Sequence, residues 1–217
     1  MAHPVWPFFD LRVVTPRLEL RAIDDELGVK LAQLAAKGIH DPSWMPFGIP
    51  WTDYASPELE RNAMQFYWRC RADLTAESWN LNFAVIEDGE LVGSTGLFAH
   101  NFPTLRQFET GSWLGRDHQG RGIGKEMRQA TLHIGFAGFG AEWATTGAFT
   151  DNAPSLGVTR RLGYSETGHR RQLRRDESGT LLTFEMSRAD WEANLHRDDI
   201  ELHGVEACLP MLGLSDG

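Results

Sequence analysis

Cysteine is scarce in this chain: Cys70 and Cys208 are the only two. That excludes a disulfide framework, and a reducing compartment, the cytoplasm, is the expectation. No motif surrounds either thiol, and both read as inert. Basic charge is also in deficit. The net charge of −9 argues against a general nucleic-acid-binding surface. No apolar run approaches the roughly 20 residues that cross a bilayer, so no membrane span is expected. Residues 1–16 lack the basic and apolar regions of a secretory signal. Repeats and low-complexity segments are missing too. His118 and His133 have no second ligand at metal spacing, so no metal is expected.

What is present is the make-up of one globular domain: 217 residues, 41% hydrophobic and 24% charged. Eight tryptophans either fill core and rim or wall a cleft.

Alternating apolar and polar residues over 18–22 predict a first strand. Asp24 and Asp25 can cap a helix with Leu27, Leu31 and Leu34 on one face. Residues 38–55 hold Pro42, Pro46 and Pro50 and several aromatics, which predicts a long irregular connection of the kind that often carries function. Ser56 as cap and Pro57 at the first helical position start a helix that runs to about Leu74. Asp88-Gly89 between the apolar runs 82–86 and 91–98 predicts a hairpin. Strands are expected at 107–114, 143–149, 165–174 and 180–187, the last two joined by a turn at 176–179. Helices are expected at 123–139, at 152–162 ending on Gly163, and at 188–196. The order predicts a mixed α/β domain over 1–196, with helices flanking one central, mostly antiparallel sheet of seven strands. A loosely predictable tail follows at 197–217.

The most telling stretch is Gln119-Gly120-Arg121-Gly122-Ile123-Gly124, between the 107–114 strand and an apolar segment of helical period. Such a loop points backbone N–H groups at an anion and backs them with a helix N-terminus, which suits a phosphate or pyrophosphate. Glycine permits positive φ and close approach. The spacing fails the dinucleotide fingerprint, and Gly124-Lys125-Glu126 lacks the hydroxyl of a nucleotide P-loop. The plainer alternative is a tight strand-to-helix turn. Arg121, inside the loop, and Arg116 and Lys125 beside it are candidates to pair with phosphate.

Gln119, Gly122 and Gly124 match the Gln/Arg-x-x-Gly-x-Gly/Ala pyrophosphate loop, and here the chain resembles the GNAT superfamily of N-acyltransferases. Gly111-Ser112-Trp113-Leu114 resembles the family's strand before that loop. Asn152-x-x-Ser155 with Leu162-Gly163-Tyr164 resembles a later segment. Thr15-Pro16-Arg17-Leu18-x-Leu20-Arg21 resembles the opening of the branch that includes ribosomal-protein N-terminal acetyltransferases. The resemblance runs from about residue 15 to 195, and its four blocks stand in the family's order. Phe9-Asp10-Leu11-Arg12, His40-Asp41-Pro42 with Met45-Pro46-Phe47, and the 111–115 stretch look closer still to an actinobacterial subgroup, one mycobacterial member of which is described as binding succinyl-CoA.

The resemblance implies transfer of an acetyl or succinyl group from a coenzyme A thioester to a primary amine, by direct attack. The acceptor would be a peptide N-terminus, a lysine or a small amine, and the protein would be a homodimer. It implies cofactor contacts at Trp113, Leu114, Gln119, Gly120, Arg121, Gly122, Ile123, Gly124, Lys125, Asn152 and Ser155. Glu109 is the implied base, against a solvent-facing strand carboxylate. Many relatives place a Tyr acid seven residues after the Asn, where this chain has Thr159. Ser155 is then the implied partner of the leaving thiolate, against an ordinary early-helix hydroxyl. A bulge near Trp113–Gly115 would supply N–H donors to the oxyanion. The run from His169 to Arg175 is either a solvated edge or a clamp for an acidic acceptor or an acyl carboxylate. Two further readings stay open: a CoA-binding sensor without turnover, and an RNA-binding module built on that run, which the net charge opposes.

Overall fold

The computed structural model describes residues 3–214. Its centre is a nine-stranded sheet in the order β7-β8-β6-β5-β4-β3-β2-β1-β9. The hairpin of β3 (Ser78–Glu87) and β4 (Glu90–His100) turns at Asp88-Gly89, both at positive φ, as a two-residue hairpin turn requires. Next come β5 (Gln107–Leu114), β6 (Trp143–Phe149), β7 (Ser165–Arg174) and β8 (Glu177–Ser187). Of the eight neighbouring pairs only β5–β6 is parallel.

Seven strands were expected and nine are present. The two extra strands, β1 (Arg12–Val14) and β9 (Glu201–His203), have three residues each, too few for an alternating pattern to register. They pair with each other, and β1 also pairs with β2 (Leu18–Ala22). The 3-10 turn Glu206–Leu212 then buries Cys208 and Leu212. Of the expected tail, 215–217 lies outside the described residues.

Period-2 alternation divides the core into two faces. Phe83 belongs to a cluster with Met127 and Ala130 of α4 (Ile123–His133) and Leu156 of α5 (Ala153–Arg161). Its neighbour Ala84 belongs to another with Leu27 and Leu31 of α1 (Asp25–Ala36) and Tyr67 of α2 (Glu58–Ala72). So α4 and α5 cover one face, and α1 and α2 the other. A four-residue turn, α3 (Phe102–Leu105), links β4 to β5, and α6 (Arg188–Asn194) follows β8.

Three local expectations are corrected. Ser56 does not cap α2: its Oγ bonds Glu60 Oε1 (2.7 Å), and the helix starts at Glu58. The helix expected over 123–139 ends at His133 and continues as a π-turn, Ile134–Gly138. The β7–β8 turn is Arg175-Asp176 rather than 176–179, with Arg174 opposite Glu177. Gly179 is needed instead where the strand crosses Phe149, whose ring would lie 2.7 Å from a Cβ.

The π-turn sets Gly135 over the buried Phe108 ring of β5, 2.3 Å from where a Cβ would stand. Gly135→Ala is expected to lose about 1–2 kcal/mol in urea unfolding, because overpacking against the ring outweighs the helix propensity gained.

Candidate functional site

Strand β5 pairs with β4 from Glu109 to Leu114, and β6 pairs with β8 from Trp143 to Phe149. β5 and β6 pair with each other only over Gln107–Glu109 and Trp143–Thr145. Hydroxyls finish the ladder: Thr110 Oγ1 donates to Thr145 O (3.5 Å) and Thr146 Oγ1 to Thr110 O (3.3 Å). Beyond that point the strands part into a fork. Gly115 N–H donates to Val92 O (2.9 Å), so by alternation Trp113 N–H also faces β4, and Ser112 and Leu114 turn their N–H groups to the fork. The expected bulge is therefore corrected. Pairing stays regular through Leu114, and of the three residues 113–115 only Leu114 presents its N–H to the gap.

The glycine loop sits at the end of β5. Gly120 and Gly122 adopt φ of +75° and +83°, the left-handed region that excludes most side chains. Gly122 starts α4 with no side-chain cap, which leaves first-turn N–H groups for a ligand. Ile123 buries its side chain in the core, so it can offer only its N–H. Gln119 does not face outward: Nε2 donates to Ile39 O (2.7 Å) and Leu114 O (3.0 Å), tying the loop to β5 and to the 38–55 connection.

Arg121 is already engaged. Its Nη2 donates to Glu87 Oε2 (2.7 Å), while Arg17 Nη2 donates to Glu87 Oε1 (2.6 Å). Glu87 is 7% exposed, whereas the two guanidiniums stay about half exposed, at 51% and 46% of their side chains. Arg17 was not singled out from the sequence, because its partner lies 70 residues away and only the fold joins them. Its Nη1 would lie 3.7 Å from a Cβ on Gly122, so it belongs to the loop. Arg116 and Lys125 are exposed and make no side-chain bond among the described residues.

Phe108 packs its ring 5.5 Å from Phe136, below the sheet face of α4. Glu109 therefore points to the α1–α2 face. It is half-buried and makes no hydrogen bond among the described residues. Burial raises its carboxyl above the ordinary value, and the charges of Arg170 and His100 oppose that. On the other side, Asn152 Oδ1 caps α5 by accepting from Ser155 N–H (3.2 Å). Ser155 Oγ makes no hydrogen bond among the described residues. Thr159 is buried and accepts from Arg128 Nη1 (2.9 Å).

The proline-rich connection and the arginine run close over the α1–α2 side. Arg175 grips Asp53 through two bonds of 2.7 Å and donates to Pro42 O (2.9 Å). Asp151 accepts from Arg174 (2.8 Å) and from Trp44 Nε1 (3.0 Å). Trp44 meets His40, which meets Phe47, then Trp51, then Trp113 of β5, with ring centroids 5.6–6.2 Å apart. These aromatics pin the loop to β5 through Trp113. Two arginines of the run thus hold carboxylates of the chain itself, and the charge of Arg170 acts on Glu109.

Burial pushes the Cys70 thiol up to about 11 and Cys208 up to about 12, so both stay protonated near neutrality. Among the described residues no cluster of three or more His, Cys, Asp or Glu is grouped for a metal, and no helix is long and apolar enough to cross a membrane.

A family model described as an acetyltransferase (GNAT) domain matches residues 17–165. The fold is similar to that of a ribosomal L7/L12 alpha-N-protein acetyltransferase, RimL, solved in complex with coenzyme A: TM-score 0.65, 20% identity, over 80% of this chain and 96% of that one. It is similar to the Salmonella typhimurium acetyltransferase that modifies the N-terminal serine of ribosomal protein L7/L12, at TM-score 0.64 and 19% identity, over 81% and 98% of the two chains. A Bacillus anthracis acetyltransferase of the GNAT family gives 0.63 and 19%, over 82% and 99%. At these identities the solved structures show a shared fold.

Asp53 and Asp151 are held below the ordinary carboxylate range, first of all by their arginine partners. Their contribution is therefore complete above the unfolded value, about 3.9, and is lost as pH falls through the lowered one. Replacing both by Asn should open the loop at neutral pH: limited proteolysis within residues 41–53 is expected to run severalfold faster. Because exposed ion pairs contribute only about 0–1 kcal/mol each, Tm should fall by no more than a few degrees.

Proposed function

The chain belongs to the GNAT acetyltransferase family, and from that premise we propose an acyl-CoA-dependent N-acyltransferase acting at the β5–β6 fork. The observation that carries this reading is the conjunction of an uncapped helix N-terminus, two left-handed glycines and a parted pair of strands at one place. The loop suits a pyrophosphate, since positive φ at Gly120 and Gly122 turns successive N–H groups into one concavity. The fork suits an extended amide-bearing arm, because Ser112 and Leu114 turn N–H groups to it. A thioester supplies an activated acyl carbon, so the protein needs no nucleophile of its own, and both thiols being inert fits that.

Glu109 takes the amine's proton, directly or through water. Its burial and its missing partner support this, as does a raised carboxyl: the group is a stronger base than an exposed glutamate. Leu114 N–H is the donor we assign to the carbonyl oxygen. Arg121 keeps an outer edge for phosphate, while Arg17 lies between Glu87 (2.6 Å) and Glu126 (3.6 Å) and braces the loop. Glu87 thereby limits how far either arginine can swing from the loop. The aromatic wall from Trp44 to Trp113 shapes the acceptor side. By its likeness to the ribosomal-protein enzymes we place a peptide N-terminus first among acceptors, ahead of a lysine or a small amine. The donor is acetyl-CoA or succinyl-CoA, the cellular site the cytoplasm, and the assembly a homodimer. The domain is taken as 1–196, with 197–217 as its appendage.

Calorimetric titration with CoA, acetyl-CoA and succinyl-CoA tests the reading. Binding of all three is expected, and Gly122→Val should weaken it at least about tenfold by forcing a branched side chain to φ +83°. Failure of the parent to bind any of them would overturn the enzyme. Glu109→Gln is expected to lower kcat by about 10²–10⁴. It should also remove an acidic limb that, in the parent, lies above the ordinary glutamate value of about 4.3. An unaltered pH–rate profile would make Glu109 a bystander.

A further inference from the structure

The arginines of the 169–175 run are engaged unequally. Arg171 Nε donates to Ser178 Oγ (3.0 Å), Arg174 Nη1 to Asp151 Oδ1 (2.8 Å) and Arg175 Nη2 to Asp53 Oδ1 (2.7 Å). Arg170 is exposed and makes no hydrogen bond or ion pair among the described residues. Strand register places it. Arg170 pairs with Leu181 of β8, and Leu181 with Phe149 of β6. Thr145, on the same face of β6 as Phe149, pairs with Glu109. Cross-strand partners share a face, so Arg170 and Glu109 project from the same side of the sheet.

On that side of β7, Gln172 and Arg174 follow, and both meet the proline-rich connection. A Cβ on Gly48 would clash with the Gln172 amide, and Arg174 Nη1 donates to Met45 O (3.3 Å). Arg170 is the next residue back along this row and carries no such contact. Its charge acts on the Glu109 carboxyl, as does that of His100, whose Nδ1 lies 3.0 Å from Ser78 Oγ. Charges near a protein surface act over about 10 Å, so the guanidinium reaches back over the β6–β8 floor toward the base. Small residues keep that floor low: Gly147 of β6 is opposite Thr183 of β8, and Thr183 is opposite Gly168 of β7. A Cβ on Gly147 would stand 2.9 Å from Leu181.

An amine beside Glu109 is followed, in a peptide, by residues that each extend about 3.3–3.6 Å. Two or three of them cover the distance to the cation. Resting on the function proposed above, we infer that Arg170 is a specificity-determining residue for the acceptor: its guanidinium receives a carboxylate at the second or third residue of a peptide whose free N-terminus lies at Glu109. The planar guanidinium matches a carboxylate in paired geometry, and no carboxylate of the described residues occupies it. Pairing also cancels the charge that opposes protonation of Glu109, so the base strengthens as an acidic acceptor is seated. A carboxylate on the donor's acyl group is the competing source, and the test separates the two.

Acetyl transfer is measured for the full-length parent, Arg170→Gln, Arg170→Lys and Arg171→Gln. The donor is acetyl-CoA, and the acceptors are short peptides with a free N-terminal alanine and either aspartate or asparagine at the second and third residues. Acetyl-CoA has no carboxylate on its acyl group, so any preference belongs to the acceptor. The parent is expected to favour the aspartate peptide at least about fivefold in kcat/KM at low salt, and less as salt rises. Arg170→Gln should bring the ratio to within about twofold of unity, and Arg170→Lys should keep part of it, since lysine retains the charge without the fork. Arg171→Gln makes the same charge change on the other face and should leave the ratio as in the parent. Calorimetry completes the test: acetyl-CoA and succinyl-CoA should each bind Arg170→Gln as they bind the parent. A preference that persists in Arg170→Gln, or is absent from the parent, would overturn the inference and leave the enzyme standing. So would a loss of succinyl-CoA binding alone, which assigns the cation to the donor. A parent that binds coenzyme A yet acetylates neither peptide would overturn the peptide acceptor and this inference with it. One that binds no coenzyme A would overturn the function itself.

Discussion

The parting of β5 and β6 is the constraint on which the site depends. Parallel strands joined by a helical crossover can diverge without breaking the chain, because no hairpin ties their ends. Each strand stays anchored by its outer neighbour, β4 for one and β8 for the other. The fork is therefore rigid on both sides while its middle is unpaired. Everything with chemical character is hung on its rim: the glycine loop leaves the end of β5, α5 leaves the end of β6, and Glu109 stands where the strands last touch.

The two faces of the sheet do different work. The α4–α5 face offers N–H groups, Arg17, Arg121 and the buried Arg128. The α1–α2 face offers Glu109 and aromatic rings behind a clasp of arginines and aspartates. Separating them by one strand keeps the half-buried Glu109 carboxylate apart from those cations. That separation follows from a single alternation, Phe108 in and Glu109 out.

Much of this was legible in the residues. The hairpin at Asp88-Gly89 and the strands 107–114 and 143–149 appear where turn chemistry and alternation put them. What escaped was set by distant partners. β9 is a strand only because β1 lies beside it, and β1 only because β2 and β9 flank it. The role of Glu87 needs two arginines that sequence places 70 and 34 residues away. The π-turn needs Phe108 under Gly135, and Arg174 and Arg175 look like a free basic patch until Asp151 and Asp53 are brought to them. Arg174 and Arg175 of that run close on the chain's own acids.

One consequence of the short β1–β9 ladder concerns topology. Arg12–Val14 and Glu201–His203 are hydrogen-bonded neighbours at one margin of the sheet, four strands from β5 and thus about 20 Å away at the usual spacing. The early and late segments of the described chain therefore meet on the side remote from the fork. A short linker between them would let the polypeptide be reopened elsewhere as a circular permutant. A surface tether or reporter fused near either segment would leave the glycine loop and the aromatic wall unobstructed.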